Sequence, residues 1–204
     1  MDLTFALRRK EVVESEPAIS EIVERWPFSQ KIRCAWSSIG FPRLIEIFRS
    51  KRGNVGQLLT QLSQHTQTTE PTDMRTLVLR GLPIILGDNP TDFYKVGFDT
   101  DDEDSFRDID IGILLVEHEG AGPSSSLHRS PASLKIILEG QVVIDNIQDL
   151  PKAICILFGL TYALHLNYPK TMMLTFQFIQ KVILTLGQDE LKPRLQTLKN
   201  QLTM

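Results

Sequence analysis

Ala153–Leu166 reads AICILFGLTYALHL, and beyond Asn167-Tyr168-Pro169 a second apolar stretch follows, Met173–Leu186 (MLTFQFIQKVILTL). In the first, Leu150, Ile154, Leu157, Phe158 and Leu164 recur at helical spacing and trace a wide apolar face. In the second, Leu174, Phe176, Phe178, Ile179, Val182, Ile183 and Leu186 do the same until Gly187. Pro169 separates the two, and so short a connection predicts antiparallel neighbours. Ala153–Leu166 is shorter than the roughly 20 residues a bilayer-crossing helix needs, and it contains Thr161 and His165. The reading is therefore a core helix pair, with no membrane span. A last polar helix, Pro193–Leu202, keeps Leu195, Leu198 and Leu202 on one side.

Upstream, Leu134–Leu138 and Val142–Ile144 flank Glu139-Gly140, the pattern of two strands joined by a tight hairpin. Ile111–Val116 (IGILLV) is a continuous apolar run of strand length. Farther back the period is helical again, over Arg43–Lys51, Val55–Leu62 and Pro71–Leu86. Asp73 sits near the start of the third, Pro83 is expected to kink or end it, and Gly87-Asp88-Asn89-Pro90 is a turn. Residues 3–25 predict one or two short amphipathic helices around Pro17, whereas Phe28–Phe41 has no clear period. The expected fold is α+β and mostly helical: N-terminal helices, then an antiparallel sheet of about three strands near 111–116, 134–138 and 141–145. The C-terminal antiparallel helix pair and the short last helix complete it. Residues 1–41 read as an N-terminal helical extension and 42–204 as a single α+β domain.

The chain has 204 residues, 42% of them apolar and 23% charged, an ordinary composition for a folded protein. A net charge of -3 gives no global attraction to nucleic acid or an anionic membrane. Two cysteines, Cys34 and Cys155, cannot build a disulfide framework, and Cys155 lies inside the apolar run as a small hydrophobe. With no secretory signal, an intracellular setting, cytoplasm or nucleus, is expected.

No catalytic or metal-binding pattern in the sequence meets the needs of its chemistry. Asp99, Asp101, Glu103 and Asp110 have calcium-loop spacing, but Asp104 stands where the sharp turn needs glycine and Asp110 where a bidentate Glu belongs. His65, His118, His128 and His165 have no zinc-ligand spacing with either cysteine. Gly-x-Ser-x-Gly and the phosphate-binding glycine patterns are missing, and Ser124-Ser125-Ser126 lies in a Gly/Ser/Pro loop. No catalytic, cofactor or metal residue is expected. Arg43, Arg49, Lys51 and Arg52, next to Gly53-Asn54-Val55-Gly56, form the one weak candidate for contact with an anion or nucleic acid. The net charge and the carboxylate run argue against that use.

Several segments together resemble a known group: FALRRKEVVESEP and RWP within Phe5–Pro27, TLVLRGLPIIL at Thr76–Leu86, IILEGQVVIDNI at Ile136–Ile147, and LFGLTYALHLNYPK at Leu157–Lys170. FQFIQKVIL and LKPRLQTLKNQL close the series. The chain resembles the C-terminal region of uncharacterised fish proteins similar to sterile alpha motif domain-containing protein three. The sterile alpha motif itself has no counterpart here, and the resemblance implies no catalytic residues. Phe28–Phe41 replaces a longer helical stretch of those relatives, which implies a shortened or misassigned exon. The leading expectation is a non-enzymatic interaction or structural domain with a protein partner or self-association. A nucleic-acid-associated regulator using the 43–52 face is the alternative, and an enzyme with a site assembled from distant residues the third.

Overall fold

The computed structural model describes residues 41–64, 71–98, 106–117, 131–164, 166–187 and 190–203. The N-terminal helices of residues 3–25, the 28–40 segment, most of the carboxylate run, the serine loop, Cys34 and all four histidines lie outside them.

The hairpin forms where Glu139-Gly140 predicts it. Both residues have positive φ, 51° and 76°, the mirror-image turn whose twist matches that of the flanking strands. Strand β3 (Ser133–Leu138) thus turns directly into β4 (Gln141–Ile147), with Leu138 opposite Gln141. A Cβ added at Gly140 would lie 2.9 Å from both the Cα and the carbonyl oxygen of Arg107, so glycine is required twice over. Gly140→Ala is expected to lower the unfolding free energy by about 1–3 kcal/mol. Glu139→Gly, at a position equally left-handed but exposed, should change it by no more than about 0.5 kcal/mol. Urea unfolding followed by circular dichroism checks the contrast.

The sheet has four strands in the order β1-β2-β3-β4, one more than expected. Strands β2 (Ile111–Val116), β3 and β4 are antiparallel neighbours, as read from the sequence. The added strand, β1 (Tyr94–Gly97), pairs parallel to β2, so the sheet is mixed. YKVG is too short for an alternation to show, and Lys95 and the exposed Val96 give it no buried face in the sequence. The IGILLV run is continuous because β2 is covered on both sides. Ile113 and Leu115 face the main core, while Leu114 and Val116 pack in a smaller cluster with Phe106, Ile109 and Ile137.

Six helices lie among the described residues: α1 (Phe41–Ser50), α2 (Gly53–Gln64), α3 (Pro71–Leu86), α4 (Leu150–Ala163), α5 (Met173–Phe178) and α6 (Pro193–Thr203). Asp149 caps α4, accepting from the Lys152 backbone N–H at 2.7 Å. The second member of the expected helix pair is not one regular helix. A 3₁₀ turn at Lys170–Met172 leads into α5, and a π turn at Ile179–Ile183 follows it. Nor do α4 and α5 pack chiefly on each other: α3 lies close to both, and to α1 and α2 as well. Leu79, Leu82 and Leu86 of α3 are almost wholly buried and bind these helices into one core. Gly81 allows the tight approach, since a Cβ there would come within 2.3 Å of the Phe48 ring.

The turn after α3 holds the start of α5. The Asp88 carboxylate accepts from the Thr175 backbone N–H at 2.7 Å, the Thr175 hydroxyl at 2.8 Å and the Leu174 N–H at 3.3 Å. The Asn89 N–H donates to the Thr171 carbonyl at 2.9 Å. The Gly-Asp-Asn-Pro signal read as a turn is therefore also a long-range clasp.

Candidate functional site

The four basic residues singled out in the sequence do not form one face. On α1, Arg43 and Arg49 are six residues apart, which at 3.6 residues per turn puts them about 120° apart around the axis. Arg43 donates to Glu46 at 2.8 Å in an exposed pair, and Phe48 between them is buried. Arg49 closes the last turn of α1 at the surface. Lys51 and Arg52 occupy the break between α1 and α2, where Gly53 opens α2 at φ 70°. With Gly56, Gln57, Thr60 and Gln61 they line a shallow open depression along α2.

Lys51 also stands at the edge of a second hollow that the sequence did not reveal. It is a trough of about 380 Å³ at the meeting of α2, the end of α3 and α6. Val55, Ile84, Ile85, Leu86 and Leu198 give it an apolar lining, and Lys51, Arg194, Thr197 and Gln201 supply its polar groups. Among the described residues, no carboxylate lines it.

The lining depends on α3 continuing past Pro83. Proline has no N–H, so the Leu79 carbonyl one turn back loses its helical donor. The Tyr94 hydroxyl reaches it at 3.4 Å from the sheet. Burial pushes the Tyr94 phenol well above its ordinary range, and the nearby Arg80 charge only partly opposes this, so the group stays a protonated donor. Burial in turn lowers the Arg80 guanidinium from its usual value, with Tyr94 acting in the other direction. The helix runs on to Leu86, which puts Ile84, Ile85 and Leu86 into the trough. The expectation that Pro83 would end or kink α3 is corrected to that extent: the helix does not stop there.

At Gly87 the chain leaves α3 with φ 79°. The space a side chain would take is filled by Arg194, whose Nη1 would sit 2.0 Å from an added Cβ. That nitrogen donates to the Leu86 carbonyl at 2.9 Å, satisfying one of the carbonyls left open at a helix end. The guanidinium carries five N–H donors, and this bond to Leu86 is its one hydrogen bond among the described residues. Lys51 has no anionic partner among them either. The trough thus pairs an apolar lining with two cations that no carboxylate neutralises among the described residues.

Residues 1–30 match the family described as sterile alpha motif domain-containing protein 3, helical domain. The match takes in FALRRKEVVESEP and RWP, two of the segments on which the resemblance was drawn. It is to the helical domain, and it lies outside the described residues. Neither a curated protein nor a solved structure matches the chain.

Arg194 is the site residue that sequence reasoning missed. It opens a helix read as polar, far from the 43–52 segment, and only packing brings the two together. Groups of three or more His, Cys, Asp or Glu side chains able to hold a metal ion do not occur among the described residues. Among them too, no helix is long and apolar enough to cross a membrane.

Proposed function

We propose that this chain is a non-enzymatic interaction domain of an intracellular protein, and that residues 41–203 continue the family relationship matched at 1–30. The observation that carries the reading is the trough between α2, α3 and α6, an open apolar surface bordered by unneutralised cations. Apolar surface that the fold leaves open beside polar groups is characteristic of places where proteins meet. Among the described residues the lining holds no carboxylate, histidine or cysteine. The absence of a catalytic constellation in the sequence points the same way.

Cross-linking of the chain in cells with a lysine-reactive reagent tests this. Lys51 lines the trough and Lys192 adjoins its Pro193 in sequence, whereas Lys95, Lys135 and Lys152 sit on the sheet and on α4. Intermolecular cross-links are expected, concentrated on the first group. Light scattering on the purified chain then separates a second copy from a different protein. A yield of intermolecular cross-links no greater than that of an unrelated control protein would count decisively against the reading.

A further inference from the structure

We infer that the trough takes a short peptide segment of another protein that combines carboxylates with branched aliphatic side chains. The inference rests on the interaction reading above and names the chemistry of the partner. Three features specify it. Val55, Ile84 and Ile85 offer a partly exposed surface without hydrogen-bonding groups, so what enters must be apolar. A volume of about 380 Å³, open to solvent, suits a few side chains of a docked segment rather than a ligand enclosed on all sides.

The third feature is charge. Arg194 and Lys51 are the charged groups of the lining, and both are cationic. Arg194 is held through Nη1 on the Leu86 carbonyl, so its guanidinium is fixed in place while other N–H donors remain without a partner among the described residues. A positioned guanidinium recognises a carboxylate through two parallel hydrogen bonds. Lys51 adds a second cation. A basic or uncharged segment would leave both charges unmatched, and specificity against such sequences follows from that mismatch. Phosphate would satisfy the two cations, but nucleic acid fits less well, because among the described residues the lining has no aromatic platform for a base and its aliphatic wall would face a hydrophilic backbone.

Panning a random twelve-residue peptide library against the whole chain tests the inference. Selected peptides are expected to be enriched in Asp and Glu together with Leu, Ile or Val. A selected peptide, labelled for fluorescence anisotropy, should bind at least about tenfold more weakly to Lys51→Glu, the effect of removing one charge-assisted contact and adding repulsion. Thr197→Trp, at an exposed position of α6 that lines the trough, fills it and should abolish binding while leaving the circular dichroism spectrum unchanged. Selection of basic or neutral peptides, or binding that survives Thr197→Trp, overturns the inference, as does failure to select any peptide. If cross-linking nevertheless finds a partner on another surface, the interaction reading stands and only this assignment of the trough falls.

Discussion

Replacing Phe176 by alanine is expected to lower the unfolding free energy by about 3–5 kcal/mol, the cost of emptying a large aromatic site in a packed interior. Phe176 is 1% exposed. Its ring centroid lies 5.1 Å from Tyr168, 5.6 Å from Phe93 and 6.0 Å from Phe158. Those rings come from the link before α5, the segment leading into β1, and α4. One side chain therefore joins the sheet to both parts of the C-terminal helical region. The near-perpendicular contact with Phe93 and the stacked one with Phe158 add geometry-dependent attraction that an aliphatic residue does not reproduce. Phe176→Leu should recover part of the loss but not all of it. Urea denaturation gives both values, and an alanine variant within about 1 kcal/mol of the parent would mean that the site collapses without penalty.

The second large effect is expected at Asp88. Asp88→Ala should cost about 2–4 kcal/mol, because a carboxylate accepting three hydrogen bonds is removed and their donors are left behind. Thr175 is 2% exposed, so water cannot replace the lost acceptor without disturbing α5. Asp88→Asn keeps one carbonyl acceptor in place and should fall between the parent and the alanine variant. Hydrogen exchange at the Leu174 and Thr175 amides gives a local readout. Both should exchange faster in Asp88→Ala even under conditions where the chain stays folded. Unchanged protection there would separate Asp88 from the start of α5.

These sites show which parts of the fold could be read in advance. The hairpin was legible because Glu139-Gly140 states its own geometry: two adjacent positive φ values suit few residue pairs, and the strands on either side are β-branched. Helix α4 was legible through the helical spacing of its apolar residues from Leu150 onward. What could not be read is what depends on distant residues. β1 is a strand because β2 lies beside it, not because YKVG has strand character. Likewise, α3 survives Pro83 with a hydroxyl from Tyr94 on the Leu79 carbonyl, fifteen residues away in sequence. The candidate site divides in the same way. Lys51 stood out as part of a local basic cluster, whereas Arg194 acquires meaning only through a carbonyl 108 residues earlier.

That last contact has a consequence for how the trough exists in time. Among the described residues, helix α6 is attached to the rest of the molecule through the buried Leu195 and Leu198, the partly buried Leu202 and the Arg194 bond to Leu86. An element held by so few groups opens at a lower free energy than the core, as a separate unit of local unfolding. Each opening removes one wall of the trough. The surface proposed to bind is thus present only for the docked fraction of molecules, and a bound segment would draw the population toward that state. Affinity for a partner and the residence of α6 on the core are then two measures of one equilibrium.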